Sequence, residues 1–99
     1  MINMEKKAHQ YRLTLAHLKN IKGEEMNRPP LEIVFENHDD IFSIIERTQE
    51  KNFFGDIDQS TEFAIGLKLF SEVMLRNRNN PLFEELGPAF ALFMKRIKK

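Results

Sequence analysis

The 99-residue chain has no cysteine, no tryptophan, one tyrosine and only four glycines and four prolines. Without cysteine it can form neither a disulfide framework nor a thiolate metal site, so stability must come from packing or from a partner subunit. That suits the cytoplasm. Gly23, Gly55, Gly66 and Gly87 lie far apart, which rules out a glycine-rich phosphate loop. There is no Gly-x-Ser-x-Gly elbow, and Ser43, Ser60 and Ser71 fall inside or at the start of helix-like patterns, so nucleophilic catalysis lacks a candidate nucleophile.

Long apolar runs are missing as well. The opening "MINMEKKAHQYRL" carries charges where a signal peptide needs its apolar core, and no stretch approaches the roughly 20 apolar residues of a membrane span. A soluble, unexported protein is expected. Fifteen basic residues balance fifteen acidic ones, which removes the electrostatic reason to expect nucleic acid as a partner. The charges are unevenly spread, with eight acids against two bases from Pro29 to Asp58 and six bases against two acids from Arg76 to Lys99. These segments are expected to attract each other, within one subunit or between two. The closing "KRIKK" reads as a solvated helix end placed favourably on the helix dipole.

What is present is a 41% hydrophobic chain with nine phenylalanines, sufficient for one core and a single domain spanning residues 1–99. "HQYRLTLAHL" alternates with the two-residue period of a half-buried strand, placing His9, Tyr11, Leu13, Leu15 and His17 on one face. "LEIVFEN" alternates again, with Leu31, Ile33 and Phe35 together. Between them "KNIKGEEMNRPP" is a long polar connection, and with no helix there to serve as a crossover the two strands are expected to pair antiparallel. The period then becomes helical. Ile41, Phe42, Ile44, Ile45 and Thr48 form the stripe of a first helix. Asp58 or Ser60 is expected to start a second, running to about Asn77 and apolar over most of its circumference except for the strip Lys68, Glu72 and Arg76. Gly66 inside it suggests that another backbone packs closely there. Pro81 opens a short helical turn, and Gly87 and Pro88 end that turn and start the last helix. The expected fold is α+β: a two-stranded antiparallel sheet near the N-terminus packed against three main helices and one short helix.

"FENHDD", residues 35–40, is the densest cluster of chemically capable side chains. Asn37 or Asp39 can cap the following helix, with Asp40 three residues after Asn37 in a capping-box-like arrangement, and this structural role needs no ligand. A metal site at His38, Asp39 and Asp40 would need a further ligand, for instance His17 if it reached that end of the sheet. His9 and His17 share a face but stand about 26 Å apart on a continuous strand, so they cannot share an ion. Lys68, Glu72 and Arg76 are most simply an exposed ladder of i,i+4 ion pairs.

The stretches "KKAHQYRLTL", "FENHDDIF", "GLKLFSEVML", "NPLF" and "FMKRIKK" resemble, in the same order and over nearly the whole chain, a small bacterial family known as domain of unknown function 3861. The resemblance implies a short cytoplasmic α+β protein and no assigned activity, so it transfers no catalytic residue. The favoured function is therefore a noncatalytic interaction or regulatory protein, expected to be a homodimer because a lone two-stranded sheet is marginal and its edges invite pairing. No cofactor or metal is expected. The competing reading is a small enzyme or a ligand- or metal-binding protein using the His38 acidic cluster. Interaction candidates are His38, Asp39, Lys68, Glu72 and Arg76. A pocket converging on His38 would favour the second reading; an exposed His38 beside a flat surface would favour the first.

Overall fold

Alternation of apolar and polar residues produces two strands of equal length, β1 (His9–Leu15) and β2 (Leu31–Asn37), joined antiparallel. A computed structural model describes residues 7–99. The register opposes Tyr11 to Phe35, Leu13 to Ile33 and Leu15 to Leu31, so the apolar residues read from the sequence share one face. Arg12 reaches diagonally across the polar face to Glu32, at 3.5 Å. Helices α1 (Ile41–Lys51), α2 (Ile57–Arg76) and α3 (Leu86–Ile97) follow, with a 3-10 turn at Pro81–Phe83 before α3. The chain is α+β, with the sheet ordered first and the helices after it.

The starts of α1 and α2 are set by side chains other than those expected. Asp40, rather than Asn37 or Asp39, is the N-cap of α1, its carboxylate accepting from Phe42 N–H at 3.0 Å and Ser43 N–H at 3.4 Å. Asn52 closes α1 in the left-handed conformation, with φ 53°. Asp56, rather than Asp58 or Ser60, caps α2 by accepting from Gln59 N–H at 3.2 Å. Ser60 is consequently one turn inside the helix and fully buried. Asn80 caps the 3-10 turn with Pro81 at its first position. Leu86 already begins α3, so Gly87 and Pro88 occupy its first turn instead of preceding it.

Packing is uneven. Helices α1 and α2 form the main helix–helix contact, and the buried apolar residues among those described are Ile41, Ala64 and Met74. Aromatic edges tie α3 to α2 through Phe63–Phe93 and Phe70–Phe90, with ring centroids 6.2 and 6.0 Å apart, yet no residue of α3 is fully buried. Helix α2 is less enclosed than its composition suggested, because Phe70, Val73 and Leu75 remain exposed. A Cβ on Gly66 would meet nothing within 4 Å, so no backbone presses on that glycine.

The sheet forms an arm. Its base, at Tyr11, Phe35 and Asn37, adjoins α1 and α2: Tyr11 stacks on Phe35 at 5.6 Å and lies 6.5 Å from Phe42. Its distal half does not share that cover, and Leu15, Leu31 and Ile33 are exposed on the face expected to be covered by helices. Beyond Leu15 the polar connection forms an organised turn. Leu18 and Met26 pair, as do Lys19 and Glu25, and Asn20 Oδ1 accepts from Lys22 and Glu24 N–H at 3.0 and 2.9 Å. Gly23 takes φ +83°, a conformation that favours glycine, to close the turn. The result is an elongated shape with a radius of gyration of 16.6 Å, against about 13 Å for a compact chain of this length.

Candidate functional site

The turn from β2 into α1 lies against the middle of α2, and polar side chains hold the two together. Asn37 is buried: its amide donates to the Lys68 carbonyl at 3.4 Å and its Oδ1 accepts from Asp39 N–H at 3.0 Å. The Tyr11 hydroxyl accepts from Ile41 N–H at 2.9 Å and donates to the Asp39 carbonyl at 3.1 Å, which satisfies a helix-start donor left over by the Asp40 cap. Two charged contacts flank these bonds. Lys68 Nζ donates to Asp39 Oδ2 at 2.6 Å, and His38 Nδ1 lies 3.7 Å from Glu72 Oε1, a contact that becomes ionic when the imidazole is protonated. Hydrogen bonding from Lys68 holds the Asp39 carboxyl below its ordinary value of 3.8, against an opposing effect of burial.

Four of the five sequence candidates thus meet as two cross-element pairs, Asp39–Lys68 and His38–Glu72. Arg76 joins differently, donating from Nε to the Glu72 carbonyl at 3.4 Å. The expected surface ladder Lys68–Glu72–Arg76 is therefore replaced by tertiary contacts, because the first two side chains find partners on the β2–α1 turn. Sequence reasoning missed Asn37 and Tyr11 as the fastening residues. The signal available was a polar residue, Asn37, ending the apolar face Leu31, Ile33 and Phe35 of β2, and the chain's single tyrosine on the apolar face of β1.

Two hollows lie beside this junction. One, of about 350 Å³, is lined by Asn37, His38, Glu72, Leu75, Arg76 and Arg78 among others. The other, of about 430 Å³, has Arg47, Lys51, Lys68 and Lys98 around half-buried Ile44, Leu67, Met94 and Ile97. His38 is therefore exposed at the margin of a hollow and not beside a flat surface, but Asn37, Glu72 and Arg76 there are already engaged within the chain. Lys51 in the second hollow donates to the carbonyls of Ile97 and Lys99 at 2.5 and 2.7 Å. His17 lies at the other end of the arm, since the register sets His9 opposite Asn37. Among the described residues no three His, Cys, Asp or Glu side chains gather closely enough to hold a metal ion.

The family model described as a domain of unknown function with solved structure, DUF3861, matches residues 9–99. The chain belongs to the DUF3861 family. A crystal structure of a protein of unknown function from Pectobacterium atrosepticum SCRI1043 is similar to it, with 32% identity and a TM-score of 0.79. That alignment covers 93% of this chain and 98% of the other. No curated protein matches the chain. Membership of DUF3861 agrees with the resemblance in the sequence and assigns no catalytic function. Among the described residues, no helix is long and apolar enough to cross a membrane.

Proposed function

We propose that this DUF3861 member is a noncatalytic cytoplasmic interaction or regulatory protein that works as a homodimer. The observation that carries the proposal is a large surface left without cover, on which many large apolar side chains lie exposed. The chain exposes 8687 Å², whereas a compact protein of its mass exposes about 5900 Å². A difference of roughly 2000–3000 Å² exceeds the roughly 800 Å² that each partner contributes to a standard interface. Large side chains on the arm, on α2 and on α3 all contribute to it. Chemistry is less well supported, because the polar groups gathered at the base of the arm are used to fasten one element to another. The hollow beside His38, with Arg76 and Arg78 on its walls, is the feature that favours a small ligand-binding protein or enzyme as the second reading.

Sedimentation equilibrium at micromolar concentration tests the first reading. The expected result is a species of twice the 11.7 kDa chain mass. A single species at the chain mass across that range would refute the homodimer.

A further inference from the structure

The tip of the arm presents apolar residues where a turn is ordinarily polar. Leu18 is 74% exposed and Ile21 is fully exposed, although the turn around them is tightly organised by Asn20, Gly23 and the Lys19–Glu25 pairing. A flexible loop could fold such side chains back against its own surface. This one holds them outward, at the end of strands about 23 Å long.

A matching surface exists at the far end of the helical layer. Phe53, Phe54, Phe63, Phe93 and Ile97, with Arg96 beside them, line a hollow of about 200 Å³. Its aromatic rings are fixed edge to face, Phe54 on Phe63 at 5.1 Å and Phe63 on Phe93 at 6.2 Å, so it is a shaped cleft. The arm leaves from the N-terminus of α1, whereas this cleft adjoins Phe53 and Phe54, just beyond the C-terminus of α1. Eleven helical residues, about 16 Å, separate the two ends, and Ile21 at the tip is wholly exposed, so it does not touch this cleft. The tip therefore leaves the cleft of its own chain unfilled.

We infer that the occupant of the cleft is the arm tip of a second copy of this chain, with Ile21 and Leu18 seated between Phe54, Phe63 and Phe93. The proposal rests on the homodimer reading and specifies its contact. One chain offers both knob and cleft, so a two-fold axis lets each copy fill the other and closes the assembly at two. The exchange covers the tip and the aromatic cleft together and draws the exposed distal face of the sheet, Leu15, Leu31 and Ile33, toward the partner. It also draws on surface of the size that the elongated shape leaves open. Reciprocal seating of an arm needs no rearrangement within either protomer, because Asn37 and Tyr11 already fasten its base.

The native chain lacks cysteine, so single cysteines report the contact directly. Ile21→Cys and Arg96→Cys proteins, mixed and oxidised, are expected to yield mainly the mixed disulfide between one copy's position 21 and the other's position 96, identified by peptide mass spectrometry. In parallel, Ile21→Asp is expected to weaken dimerisation at least tenfold in sedimentation equilibrium while leaving the circular dichroism spectrum unchanged. A dimer that persists at native affinity in Ile21→Asp, or that cross-links only position 21 to position 21, overturns the arm-in-cleft contact and leaves the homodimer standing. A native chain that sediments as a monomer removes both.

Discussion

At the base of the arm, Tyr11 and Asn37 place hydrogen bonds onto Ile41, Asp39 and Lys68, while at its tip an equally ordered turn directs Leu18 and Ile21 into solvent. Both ends are built, but for different surroundings. The base is complete within one chain, since its donors and acceptors find partners on α1 and α2. The tip is ordered by its own backbone and by the Asn20 side chain, and it leaves Leu18 and Ile21 exposed. A protein that folded only to be a compact monomer would gain from the opposite distribution, with apolar side chains at the helix junction and polar ones at the apex. The contrast therefore separates residues that hold the arm up from residues that the arm presents.

The strongest way to break that contrast is at Asn37. Asn37→Ala removes a buried side chain with two hydrogen bonds and leaves Asp39 N–H without its partner, so a loss of about 2–3 kcal/mol is expected in urea unfolding. His38→Ala, at the adjacent exposed position, should cost about 1 kcal/mol or less. Equal shifts for the two variants would mean that the base is not fastened by Asn37, and the rigidity assigned to the arm would go with it. Tyr11→Phe sharpens the same point with a smaller effect. It keeps the ring stacked on Phe35 and deletes only the hydroxyl, exposing the Ile41 donor, for an expected loss of about 1–2 kcal/mol.

These residues also mark where the sequence was legible and where it was not. The strands and the face each presents followed from alternation, but the register did not, since a slip of two residues keeps every side chain on its face; the structure opposes Tyr11, Leu13 and Leu15 to Phe35, Ile33 and Leu31. Helix positions followed from period, but their first residues did not. Asn37 looked like a cap and is instead drawn into the sheet–α2 junction by the Lys68 carbonyl, a partner 31 positions away that no local pattern reveals, which leaves the cap to Asp40. At α2 the signal was available: Asp56 stands three residues before Gln59, the spacing of a capping box. Lys68 and Glu72 have the i,i+4 spacing of a surface pair, yet charges three or four apart pair with each other only when nothing closer is offered, and the β2–α1 turn offers Asp39 and His38. The attraction expected between the acidic and basic segments is not expressed as a direct ion pair among the described residues. Neither Gly66 nor the polar loop announced what it does, because both readings depended on what lies opposite in space.

The smallest expected effect is electrostatic and isolates Asp39–Lys68 from its hydrogen-bonded neighbours. Half of the Asp39 side chain is exposed, so solvent screening limits the pair to a few tenths of a kcal/mol near neutral pH. Its sign is nevertheless defined. The folded carboxyl titrates below 3.8, its value when unpaired, so the folded state binds this proton less readily than the unfolded chain does. The contribution is fully present above pH 3.8, and it is lost as the pH falls through the lower folded value. Lys68→Met removes the principal cause of the depression and should bring the Asp39 titration, followed by carboxyl-carbon NMR, back toward 3.8. The native protein should then lose more stability than Lys68→Met between pH 5 and pH 3, with the two stability curves converging at the acid end. Parallel curves, or an Asp39 titration that stays depressed without Lys68, would move the cause to Arg47 or His38, the other positive groups near the carboxylate, and would make the junction depend on the hydrogen bonds of Asn37 and Tyr11 alone.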